Sequence, residues 1–157
     1  MMRLILLALI IPHLLLAADN QTLNQFMLKN YDWKKDPSHM VHVGTRCAAV
    51  MDAAVWRMSD DSRQSVKSLT EKYRGFGDVY MYSSGLLAEQ IDYSSEGYTK
   101  LYKSWMDSYR AMGEENHTKY NDFFSGMLGE DFKTCMIPDN FQFYKTLLQV
   151  AAEKAGN

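Results

Sequence analysis

The sequence predicts an all-α protein, a single-domain antiparallel helical bundle of about five main helices plus a short N-terminal helix, closed by one disulfide. Apolar residues recur at three- and four-residue spacing along nearly every segment, while alternating strand patterns are missing. The chain carries two cysteines, Cys47 and Cys135, behind a leader that reads as an export signal. An even cysteine count in an exported chain favours a bridge, and closing a loop of this length stabilises a fold by roughly 4–5 kcal/mol in the chain-entropy view.

The leader has the order of a secretory signal. Arg3 precedes the apolar run Leu4 to Leu16, which ends in Ala17, Ala18 and Asp19. Pro12 and His13 interrupt the run, and it is shorter than the ~20 apolar residues a membrane-spanning helix needs. Residues 1–17 are therefore read as a signal peptide and 18–157 as one helical domain, with no integral membrane span after cleavage. Leu15 is not the small residue expected two places before a cut after Ala17, so the cleavage position is open by about a residue. No cysteine follows the run to take a lipid anchor. The expected location is the periplasm or the extracellular space.

The first helix is expected from about Thr22 to Tyr31, with Leu23, Phe26 and Met27 on one face and Asn20 or Thr22 as cap. The second has two candidate starts: Asp36-Pro37 is a good cap and first-turn pair, and Gly44-Thr45 offers another eight residues on. Cys47, Met51, Ala54 and Met58 form its stripe, flanked by Ala48 and Val55. The third, about Asp61 to Ile91, repeats Val66, Leu69, Tyr73, Phe76, Tyr80 and Leu87, with Ser83 in the one polar slot. A fourth helix capped by Ser94 or Ser95 carries Tyr98, Leu101, Tyr102, Trp105, Met106, Tyr109 and Met112 and is expected to stop at Gly113. A fifth is expected from about Glu114 to Cys135, through Tyr120, Phe123, Phe124, Met127, Leu128 and Phe132. The last, capped by Asp139 or Asn140, has Phe141, Tyr144, Leu148 and Ala151 as its inner face.

Short links imply that helices two to six alternate in direction. The start of the second and the end of the fifth then share one end of the bundle. That geometry prefers the later start of the second helix, because a start at Pro37 places Cys47 about 15 Å up the axis.

Composition excludes some functions. Removing the leader takes away Arg3, leaving 16 Lys and Arg against 19 Asp and Glu, and the charges are interspersed without a basic face, so nucleic acid is not an expected partner. No Gly-x-Ser-x-Gly, His-Glu-x-x-His, phosphate-binding glycine loop or Cys-x-x-Cys-His is present. His39 and His42 stand three apart with Asp36 three before them, so on a helix they could share a face and hold a metal; a solvated first turn explains them equally well. Glu114 and His117 form one Glu-x-x-His, whereas di-iron bundles use two with further glutamates. No cofactor is expected. Tyr98, Tyr102, Trp105 and Tyr109 line one face with polar tips, either as core or as a ligand or partner surface. Asn20-Gln21-Thr22 and Asn116-His117-Thr118 fit the glycosylation pattern, which matters only in a eukaryotic host.

The segment Cys135-Met136-Ile137-Pro138-Asp139-Asn140 leading into a helix resembles the Cys-Ile-Pro helix start of the Rap/Tai-type periplasmic immunity proteins over about twenty residues. That pattern implies a further, closing cysteine after the last helix, and none stands between Cys135 and Asn157. The expected role is a non-enzymatic envelope protein that binds a protein partner or a small apolar ligand. The alternatives are a metal or cofactor bundle and an enzyme with a dispersed site.

Overall fold

The computed structural model describes residues 21–155; the expected signal peptide and Asn20 lie outside the described residues. Six α-helices and one 3₁₀ turn make up the described architecture, with no strand among the described residues. They are α1 (Leu23–Lys29), the 3₁₀ turn Trp33–Lys35, α2 (Pro37–Met58), α3 (Gln64–Gln90), α4 (Ser95–Tyr120), α5 (Gly126–Cys135) and α6 (Pro138–Ala155). None of the described helices is long and apolar enough to cross a membrane.

Helix α2 is the axis of the bundle. It is buried from Met40 to Ala54 except at His42 and Asp52, and its small residues Gly44, Ala48, Ala49, Ala53 and Ala54 let neighbours approach from several sides. It begins at Pro37, not near Thr45, because the Asp36 carboxylate accepts the backbone N–H groups of Ser38 (2.8 Å) and His39 (3.2 Å) while Pro37 has no N–H to satisfy. The Cys47–Cys135 bridge still forms, with Cα atoms 5.4 Å apart.

The later start failed because Cys135 does not lie at an end of the bundle. Helix α5 passes into α6 through Met136 and Ile137 by a bend and not a reversal, since the Met136 N–H still reaches the Phe132 carbonyl and the Phe141 N–H reaches Ile137. Against α3, Tyr73 meets Phe132 and Phe76 meets Phe141, while Ser83 Oγ donates to the Tyr144 carbonyl. Both α5 and α6 therefore run in the same sense as α3, and the expected alternation stops there. Helices α2 and α3 are antiparallel, with Gly44 opposite Ser84 and Asp52 opposite Gly77.

Gly113 does not stop the fourth helix. A Cβ there would lie 2.1 Å from the Phe123 ring, so the glycine makes room for that ring. Helix α4 runs on to Tyr120 and ends at Asn121, whose left-handed backbone (φ 53°) turns the chain and whose N–H returns to the His117 carbonyl. Tyr120, Phe123 and Phe124 thus belong to the end of α4 and the following loop. The first helix is as expected, with Thr22 and Gln25 closing a capping box.

Buried tyrosines tie the layers together through their hydroxyls. Tyr144 donates to the Met40 carbonyl at 2.5 Å and Tyr80 to the Cys135 carbonyl at 2.6 Å, so neither buried phenol is left unpaired. The Tyr144 ring fits because Gly44 has no side chain: a Cβ would stand 2.7 Å from both Tyr144 Cε1 and Ser84 Cβ. Gly75, in the exposed middle of α3, faces open space.

These two glycines predict opposite outcomes. Gly44→Ala should destabilise by about 1–3 kcal/mol through overpacking, and Gly75→Ala should stabilise by about 0.5–1 kcal/mol by helix propensity. Urea unfolding midpoints of the two variants check both signs.

Candidate functional site

The aromatic face of α4 divides along its length. Trp105 and Tyr109 are buried, whereas Tyr98 and Tyr102 are half-buried nearer the start of the helix.

The buried half belongs to a charged network. Arg46 of α2 and Asp131 of α5 form an ion pair with both side chains fully buried. The Tyr109 hydroxyl donates to Asp131 Oδ2 and accepts from Arg46 Nε at 3.1 Å. Arg46 Nη2 also donates to the Gln21 carbonyl at 3.1 Å, and Asp131 Oδ1 accepts the Leu23 backbone N–H at 2.5 Å, at the start of α1. The guanidinium carbon lies 4.2 Å from the centre of the Trp105 ring. Burial opposes the charge of Arg46, but Tyr109 and Asp131 outweigh it and raise its pKa above the ordinary value. Burial, reinforced by Asp131, pushes the Tyr109 phenol well up. This network faces inward, joins α1, α2, α4 and α5, and leaves no polar group of Asp131 or Tyr109 turned to solvent.

The half-buried part faces α3. The Tyr98 hydroxyl donates to the Met81 carbonyl at 2.8 Å and stands 2.8 Å from Ser84 Oγ. Beside it a cleft of about 420 Å³ opens between α3, the first turns of α4 and α6, lined mainly by Met81, Tyr82, Gly85, Tyr93, Tyr98 and Leu148. One turn further along α4, Tyr102 donates to Asp52 Oδ2. Burial and then the neighbouring Asp78 raise the pKa of Asp52, against the pull of Arg110 and Arg74.

The histidines proposed for a metal are not gathered into a ligand set. His39 lies 3.8 Å from Asp36 in the first turn of α2, His42 packs on Phe26 and Trp105, and His117 sits beside Arg57 near the end of α4. Among the described residues no three His, Cys, Asp or Glu side chains form a metal-holding group. The Asn116 amide of the second glycosylation pattern donates to the carbonyls of Phe123 and Ser125. No protein-family model, no curated protein and no solved structure matches the chain.

Sequence reasoning missed Arg46, Asp131 and Asp52. A signal for the first two was present: Arg46 interrupts the otherwise apolar and small run Val43–Met51 directly before Cys47, and Asp131 precedes Cys135 by one helical turn. Once the cysteines are paired, the two charges fall at one level.

Two predictions follow from these carboxylates. Asp131→Ala leaves Arg46 buried without its counter-charge and should cost about 3–5 kcal/mol in urea unfolding, while the double change Arg46→Met with Asp131→Leu should cost distinctly less. Asp52 has its folded-state pKa raised above the ordinary 3.8, so its contribution is most favourable below that value and declines as pH rises through the raised one. Asp52→Asn should therefore be the more stable form at pH 7, by less than about 1 kcal/mol because the group is partly exposed, with the gain vanishing near pH 3.

Proposed function

We propose that the protein is a non-enzymatic, exported binding protein of the cell envelope, whose cleft between α3, α4 and α6 takes a small apolar ligand. The cleft carries this reading. Its volume of about 420 Å³ falls in the range of small-molecule sites, and its lining is mostly apolar with the Tyr98 hydroxyl held in place at its wall. The compartment is supported by the leader, by the disulfide, and by the absence of a membrane-capable helix among the described residues. The non-enzymatic character is supported by the inward direction of the Arg46–Asp131–Tyr109 network, whose hydrogen bonds end on the protein's own groups.

A protein partner is the second reading. Tyr82, 59% exposed at the rim of the cleft, is the kind of aromatic that anchors protein interfaces, and an apolar side chain from a partner would enter the same space.

Filling the cleft tests the proposal. A Cβ at Gly85 would meet only the Tyr98 ring, at 3.7 Å or more, so this position in the cleft lining has room for a side chain to begin, and Gly85→Phe is the variant chosen to fill the cleft. The fluorescent probe N-phenyl-1-naphthylamine should bind the native protein and lose at least about tenfold in affinity, about 1.4 kcal/mol, in the variant. Equal binding by both counts against the cleft. A photo-crosslinker at Tyr82 that traps one discrete protein in the native host, with no probe binding, favours the second reading.

A further inference from the structure

At the C-terminal end of α2 lies a corner that the cleft does not use. Trp56, in the last turn of α2, remains 38% exposed despite its size. The Arg110 guanidinium of α4 lies over its ring at 5.3 Å, and the neighbouring Arg57 lies over Phe123 at 6.0 Å. Trp56 and Phe123 are themselves 6.3 Å apart, and Phe123 is fixed against Gly113. His117, two turns along α4 from Arg110, brings its Nε2 to 3.5 Å from Arg57 Nη2.

Two arginines and a histidine therefore crowd one aromatic shelf. No salt bridge reaches Arg57, Arg110 or His117 among the described residues, although Arg110 feels the field of Asp52. Of the carboxylates near them in sequence, Asp61 pairs with Arg63, Glu115 pairs with Lys119, and Asp122 accepts from Phe124 N–H and Ser125 Oγ in the loop that carries Phe123, while Asp60, Asp107 and Glu114 form no salt bridge with the three. Arg110 adds a buried Nε with no acceptor among the described residues. Stacking on a ring holds a guanidinium in place, so less side-chain freedom is lost when its N–H groups take up a carboxylate. Trp and Arg are also the residue types that dominate binding energy in protein interfaces.

We infer that this Trp56–Arg57–Arg110–His117 corner is a docking site for an acidic segment of a partner protein, with Trp56 as the apolar contact and the two guanidiniums as the carboxylate receptors. The site is separate from the apolar cleft and stands or falls without it.

The experiment uses the folded, oxidised protein and a fluorescein-labelled peptide Asp-Glu-Asp-Leu-Glu-Asp, with a Lys-for-acid version as control. Fluorescence anisotropy should show binding of the acidic peptide that weakens with added salt, no binding of the basic one, and at least a tenfold loss in Arg57→Glu. Trp56→Ala should weaken binding severalfold, and Gly85→Phe should leave it unchanged. Circular dichroism confirms that each variant keeps its helices. Absence of acidic-peptide binding at low salt, equal binding to Arg57→Glu, or complete displacement by millimolar inorganic phosphate overturns the proposal; the last marks the corner as a small-anion site.

Discussion

The structure depends on one buried ion pair set beside one covalent bond. Arg46 and Cys47 are neighbours on α2, and Asp131 and Cys135 lie one turn apart on α5, so the bridge and the salt bridge join the same two helices at one level. Two charges taken out of water cost several kcal/mol each, and their attraction offsets that only where geometry and extra hydrogen bonds are good. Here the extra bonds come from Tyr109, the Leu23 N–H and the Gln21 carbonyl. The ion pair and its added hydrogen bonds thereby join α1, α2, α4 and α5 at one buried point.

The same contacts divide α4 into two parts. Trp105 and Tyr109 face the ion pair and are buried with it, while of the half-buried pair nearer the start of the helix Tyr98 reaches Met81 and Ser84 of α3 and Tyr102 reaches Asp52 of α2. In the inner half the Tyr109 hydroxyl is satisfied by buried charge, whereas the Trp105 ring lies against the Arg46 guanidinium with its Nε1 lacking a hydrogen-bond partner among the described residues. The outer half satisfies its hydroxyls on Ser84, Met81 and Asp52 and leaves ring faces beside open space. One continuous stripe in sequence thus serves as core at one end and as cleft wall at the other.

Much of the fold was legible from periodicity. The class, the disulfide, Thr22 as one of two candidate caps of α1 and the approximate span of α3 are all local patterns or simple counts. The errors came where one residue type has two uses. Gly113 reads as a helix stop, but it accommodates the Phe123 ring, and the ring that requires it is ten residues away in the chain. Asp139 or Asn140 reads as the cap of the last helix, but Pro138 already stands at the first helical position of α6, because the chain only bends after Cys135. The candidate site was less legible. The aromatic stripe was visible, yet the division of its residues depends on Arg46 and Asp131, legible only through their places beside the two cysteines, and on Asp52, whose partner on another helix leaves no spacing signal.

The adjacency of bridge and ion pair also bears on the order in which the molecule assembles. Arg46 and Asp131 are 85 residues apart, and bringing such distant points together costs about 4 kcal/mol in loop entropy before any attraction is gained. Once sulfur joins sulfur next door, that search is already complete, and the two charges meet as near neighbours. The bridge therefore lightens the entropy cost of the ion pair: in a chain joined at Cys47 and Cys135 the arginine and aspartate are held near each other even when unfolded, whereas in a reduced chain the ion pair must itself offset the closure of that loop.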